Sequence, residues 1–164
     1  MSRLPGATPL YPPHPRRGRV VMPFAPAVLV PPGAAWLVVS GCTASPLYHS
    51  HPHVPEEHLL PGSMREQAHF VFQNLKLSLD AAGVSWRHVV KVTRYLTDMR
   101  DQDDLNDVQR RYFGDHKPAS TTVEVSHLVT PPARLEIDLI AMVPGGEPRR
   151  PATRRRGRSR AASG

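Results

Sequence analysis

The sequence predicts an α+β domain in which two helices pack on one face of a mixed β-sheet. Three observations predict it. A length of 164 residues suits one hydrophobic core and not two. One long segment repeats its apolar residues at helical spacing, and a second, shorter one follows. Around them lie β-branched, alternating runs, so the elements read ββ, helix, strand, helix, ββ. A sheet with helices on one face leaves its other face bare, which points to self-association.

The elements follow in order. AVLVP (27–31) and WLVVSG (36–41) are β-rich runs joined by PPGA, and the spacing predicts a hairpin. Residues 42–62, CTASPLYHSHPHVPEEHLLPG, contain four prolines and four histidines and predict a long irregular loop of the kind that often serves a site. The helix should run from about Ser63 to Ala82. SMRE has the form of a capping box, Ala68, Val71, Phe72, Leu75, Leu79 and Ala82 form the apolar face, and Gly83 is placed to end it. HVVKVTRYLTD (88–98) reads as a buried strand. A second helix follows MRDQDD, with Asp103 or Asp104 as its cap and Leu105, Val108 and Tyr112 or Phe113 facing inward, and Gly114 stops it. STTVEVSHL (120–128) and ARLEIDLIAMV (133–143) alternate as two further strands.

Charge is concentrated at the ends. Residues 1–20 carry four Arg and no acid, and residues 145–164 carry seven Arg and one Glu. With a total of +7, residues 21–144 are left at −3. The organisation expected is a Pro/Arg-rich flexible segment (1–20), a folded domain (21–144) and an Arg-rich disordered tail (145–164). Such a tail can hold nucleic-acid phosphates non-specifically, while the acidic domain argues against RNA as its ligand. No apolar stretch suits a signal peptide or a bilayer span, and the single cysteine, Cys42, excludes an intramolecular disulfide. These features predict a cytoplasmic protein without a membrane partner.

NLKLSLDAAGVSWRHVVKVTRYLTDM, LNDVQRRYF, PASTTVEVSHL and LEIDLIA together resemble the RidA/YjgF/UK114 (Rid) family. The likeness runs collinearly over about residues 23–143, with PFAPAVLV and VVSG in the places of that family's first strand and Ser-Gly turn. The resemblance implies a chorismate-mutase-like fold, a homotrimer, a small-molecule ligand in clefts between subunits, and neither metal nor organic cofactor. In the best-known branch it implies hydrolysis of enamines and imines such as 2-aminoacrylate. There an arginine after Pro-Ala grips the substrate carboxylate. This chain reads Pro118-Ala119-Ser120 instead. One neutral hydroxyl does not replace a planar bidentate cation, and the lost charge-assisted pair is worth about 1.5–3 kcal/mol. The pocket tyrosine of the first strand is replaced by Phe24, and the glutamine after Ser-Gly by Cys42, while Ser40 and Glu136 survive.

The resemblance and strand phase make Glu136 the candidate catalytic acid or base; a structural ion pair with Arg134 or a group on another subunit is the alternative. Ser120, Thr122, Ser40, Phe24, Cys42 and Arg134 are the candidate binding residues. Thr122 equally suits a strand, Arg134 a surface charge, and Cys42 an inert buried thiol. His49, His51 and His53 alternate in the loop, but no carboxylate or thiol completes a metal-ligand set. The function expected is a specialised enamine or imine deaminase, hydrolase or tautomerase. The alternative is a non-catalytic ligand-binding or regulatory trimer, and a ribonuclease is a more distant one.

Overall fold

A computed structural model describes residues 6–13, 23–50, 52 and 54–144. The Arg-rich tail expected at 145–164 therefore lies outside the described residues, as do His51 and His53. In chain order the strands and helices are β1 (Thr8–Leu10), β2 (Ala27–Leu29), β3 (Ala35–Cys42), α1 (Met64–Ala81), β4 (Val89–Leu96), α2 (Gln102–Phe113), β5 (Ala119–Glu124) and β6 (Leu135–Val143).

Helix α1 forms where its local chemistry directs. Ser63 Oγ accepts from the Glu66 amide at 3.3 Å, which satisfies one orphan donor of the first turn. The Glu66 carboxylate takes the Ser63 hydroxyl rather than its backbone N–H, so the predicted box closes through side chains. At the other end Gly83 has φ +69°. Its N–H bonds the Asp80 carbonyl and that of Val84 bonds Leu79, the paired closure of a Schellman motif. The apolar stripe of α1 is buried against the sheet, and Phe72 stacks on Tyr112 of α2 with ring centroids 4.7 Å apart.

Helix α2 begins differently from expectation. Neither Asp103 nor Asp104 caps it. The chain enters through a short turn at Met99–Asp101, where Asp98 Oδ1 accepts from the Arg100 amide at 2.9 Å. Gly114 ends the helix with φ +57°, as its position predicts.

Four strands form the main sheet in the order β3-β6-β4-β5. The β3/β6 and β6/β4 pairs are antiparallel, and β4/β5, joined through α2, is parallel. The sheet is mixed, with α1 and α2 on one face. Leu135, Ile137 and Leu139 of β6 and Val92 and Leu96 of β4 are buried on that face. The opposite face carries Trp36 and Val38 of β3, which are 57% and 74% exposed.

One prediction is overturned. The runs at 27–31 and 36–41 do not pair as a hairpin: β2 pairs antiparallel with β1, in a separate two-stranded sheet. Thus, within the segment expected to be flexible, residues 8–10 form a strand. Periodicity identifies a short strand but not its partner, and the partner here is TPL in a Pro-rich stretch.

Candidate functional site

Strand phase turns Glu136 away from the helices. Leu135 and Ile137 flank it and are fully buried, so Glu136 and Asp138 share the open face of β6. The register sets Glu136 opposite Tyr95 and Asp138 opposite Thr93. Tyr95 donates its hydroxyl to Asp138 Oδ2 at 3.0 Å, which pushes the Tyr95 pKa up. Glu136 makes no hydrogen bond among the described residues.

A β-bulge completes the position. Between Val39 and Cys42 the β3/β6 register shifts, and Ser40 and Gly41 occupy the irregularity. A Cβ on Gly41 would overlap the Glu136 carboxylate, so only glycine allows this approach. Partial burial raises the Glu136 pKa, and the Asp138 charge adds to it. A carboxyl held above its usual range, with no fixed partner, can exchange a proton with a ligand.

The carboxylate lines a cavity of about 110 Å³. That is well below the roughly 300–1,000 Å³ of pockets for drug-sized ligands, and it suits a small metabolite. Thr43, Ser45 and Thr130 contribute hydroxyls to its wall, and Leu47 and Val129 contribute apolar surface. Ser45 Oγ and Thr130 Oγ1 lie 3.2 Å apart. The loop that follows β3 forms much of the remaining wall, through His49, Glu57 and His58. Asn74 of α1 anchors it, donating to the carbonyls of Thr43 at 3.1 Å and Ser45 at 2.7 Å.

Among the other predicted residues, Cys42 joins Glu136 in this cavity. Burial, with Glu136 adding to it, pushes its thiol up to about 11, so it is protonated at neutral pH and a weak nucleophile. Ser40 is exposed in the bulge beside the cavity. The remaining residues stand apart. Ser120 pairs with Val92 and Thr122 with Arg94, so both lie on the helix-covered face of β5, two strands from β6 and roughly 10 Å away. The Ser120 hydroxyl is buried with no hydrogen-bond partner among the described residues. Phe24, half-buried, is next to Ala25, whose N–H bonds the Pro118 carbonyl at 3.1 Å, so it belongs to this edge as well. Arg134 is committed elsewhere: its guanidinium forks onto Asp101 at 2.8 and 2.9 Å.

Three residues escaped the sequence reading. Asn74 anchors the cavity wall. Gln67, 1% exposed, donates to the Pro61 and Pro132 carbonyls at 2.7 and 2.9 Å and accepts from the Arg134 amide at 2.8 Å, tying two loops together. Both belong to α1, and an uncharged amide within or beside an apolar stripe was the available signal. Arg94, 7% exposed in a strand otherwise buried on that face, is the third. Its guanidinium is held by neutral oxygens of Thr122 at 2.8 Å, Asn106 at 2.7 Å and Gln109 at 3.3 Å, and burial lowers its pKa to about 10. No group of three or more potential metal ligands occurs among the described residues, and no helix among them is long and apolar enough to cross a membrane.

Comparison with known proteins agrees with this architecture. The profile of the family described as Endoribonuclease L-PSP matches residues 20–143. A RutC family protein of Pyrococcus horikoshii is 43% identical over 83 residues, which is 51% of this chain and 65% of the relative, so the chain spans less than two thirds of that protein. MMF1 of Saccharomyces cerevisiae, named as mitochondrial, is 33% identical over 77% of this chain and 88% of its own. TdcF of Escherichia coli, whose name assigns it provisionally to reactive intermediate deamination, is 31% identical over 56% of this chain and 72% of its own. A solved Thermotoga maritima structure, described as a candidate endoribonuclease, superposes with a TM-score of 0.56 at 35% identity, covering 74% of this chain and 87% of its own. The fold, the bulge against Glu136 and the family match over residues 20–143 lead to one assignment: the chain belongs to the YjgF/RidA family.

Proposed function

We propose that this protein is a specialised RidA-type hydrolase acting on a small imine or enamine, with Glu136 as its proton-transfer group. The observation that carries the reading is the Glu136 carboxyl, its pKa raised, packed against Gly41 in a cavity of metabolite size. Water adds to the C=N carbon; its proton goes to Glu136 and the imine nitrogen takes up one. In the resulting carbinolamine Glu136 returns its proton to the nitrogen, the C–N bond breaks as the hydroxyl gives up its proton to form C=O, and the amine and carbonyl compound leave. An acid or base in this role is most effective when its pKa lies near the working pH, the direction in which burial moves Glu136. An enamine enters the same path after protonation at carbon.

Ser120 supports specialisation. A neutral, buried hydroxyl on the covered face of β5 offers no bidentate grip for a carboxylate. Assembly is part of the proposal: Trp36 and Val38 expose apolar surface on the open sheet face, which a homotrimer would cover. A cytoplasmic location belongs to the same proposal and is supported by the single cysteine; a yeast relative is named as mitochondrial, and cell fractionation separates the two. Ribonuclease chemistry is not favoured, because Glu136 and Asp138 give the open sheet face negative charge.

The unpartnered Ser120 hydroxyl favours one further reading, a trimer that binds a small ligand without turning it over. Imines generated in situ distinguish the two. Acceleration of carbonyl release over the uncatalysed rate is the expected result. Saturable binding with no acceleration across a panel of imines would replace the hydrolase with the binding protein. Hydrolysis of 2-aminoacrylate as fast as by arginine-bearing relatives would overturn the specialisation.

A further inference from the structure

The loop after β3 brings a second carboxylate to the Glu136 cavity. Glu57 is in the short turn Pro55–His58 and lines the cavity together with Glu136. Ser50 fixes it: the Ser50 amide lies 3.0 Å from both Glu57 oxygens, and the Ser50 hydroxyl donates at 3.1 Å. Donors of this kind favour the ionised form, and the Glu57 pKa is lowered chiefly by the Ser50 amide. Burial acts the other way on Glu136. Two carboxyl groups in one site are thus driven apart, one kept charged and the other made easier to protonate, the pattern by which sites divide electrostatic and acid–base roles.

Among the described residues no lysine or arginine lines this cavity to balance them, although the charge of His49 also helps to lower the Glu57 pKa. Nearby cations are held elsewhere. Arg134 is ion-paired with Asp101 at 2.7 Å. Arg94 faces the helices and is held by Thr122, Asn106 and Gln109, and Lys91 bonds Thr121 of β5. Two imidazoles, those of His49 and His58, complete the polar wall.

We infer that the substrate of this cavity is an imine that bears no carboxylate, derived from a simple amine rather than an amino acid, with Glu57 stabilising its protonated, cationic form. The inference rests on the hydrolase reading and extends it to a substrate class. A carboxylate-bearing imine would bring a third negative group beside Glu57 and Glu136, and like charges in a confined site select against a ligand. An iminium instead gains attraction from Glu57, and its carbon becomes the better electrophile for water. Its carbonyl product is an aldehyde or ketone, released with ammonia when the nitrogen is unsubstituted.

The test compares two imines that differ only in the carboxylate. Butylamine treated with an amine oxidase and norvaline treated with an amino-acid oxidase give imines with the same propyl group. The full-length protein is assayed on each at pH 8. The expected result is a kcat/KM at least roughly tenfold higher for the butylamine-derived imine. In Glu57→Gln that ratio falls toward one, chiefly through loss on the butylamine side. Equal or faster turnover of the norvaline-derived imine by the wild-type protein overturns the inference and leaves the hydrolase reading standing. Acceleration of neither imine overturns both. Because the wild-type ratio decides by itself, a Glu57→Gln variant that failed to fold would not protect the inference.

Discussion

The two faces of the four-stranded sheet are built from the same alternating strands and do different work. On the covered face, Val92, Leu96, Leu135, Ile137 and Leu139 are buried against α1 and α2, and even the one charge, Arg94, is enclosed by neutral oxygens. On the open face, Trp36 and Val38 stand exposed in the same sheet as Glu136, Asp138 and Tyr95. The covered face therefore specifies the fold, and what it buries tolerates little change. The open face carries no helix, and of its two β6 carboxylates Asp138 accepts from the Tyr95 hydroxyl while Glu136 has no hydrogen bond among the described residues. The Glu136 cavity forms where the β3 bulge interrupts the regular pairing at the edge of this sheet.

Substitutions on each face can break that contrast. The largest effect is expected from Phe72→Ala, which empties a fully buried site among Tyr112, Trp86 and Phe113. It should cost about 3–5 kcal/mol in urea denaturation; a cost below about 1 kcal/mol would mean that the covered face is not the core described. Arg94→Ala comes next. It strands the Asn106, Gln109 and Thr122 oxygens and should cost about 1–3 kcal/mol with no direct effect on the distant cavity. Val38→Ser on the open face should change the stability of a single chain by no more than about 0.5 kcal/mol. It should nevertheless weaken self-association in sedimentation; an undisturbed assembly would remove Val38 from the interface.

Glu136→Gln gives the smallest stability change, and its sign is informative. The folded state raises the Glu136 pKa above its unfolded value, so the stability tied to its protonated form is complete below the unfolded pKa and is lost as pH rises through the folded one. Above the folded pKa the wild-type protein lacks that contribution, and there the Gln variant should melt at the same temperature or slightly higher. A structural ion pair at Glu136 would reverse the sign, and a lower melting temperature for the variant would support that alternative.

Much of the fold was legible because its signals are local. Ser63, Gly83 and the stripe from Ala68 to Leu79 define α1 without reference to anything distant. Strand phase alone turned Glu136 away from its apolar neighbours. What escaped depends on partners far along the chain. The pairing of β2 with β1, the hold of Asn74 on the loop after β3 and the approach of Gly41 to Glu136 join residues that no spacing rule connects. Ser120 shows the limit most plainly. Its alternation with Thr122 puts both on one face, but only the register with β4 identifies that face as the one Arg94 shares, turned away from Glu136. Within one chain Ser120 therefore lies apart from the cavity that Glu136 lines.

The most direct test of the central claim is the rate of imine hydrolysis by the wild-type protein and by Glu136→Gln, with the melting temperature of each measured alongside. The account predicts that the variant folds as well as the wild type and loses catalysis by about 10²-fold or more, as expected for removal of a general acid–base group. Full activity in a folded Glu136→Gln variant would contradict it.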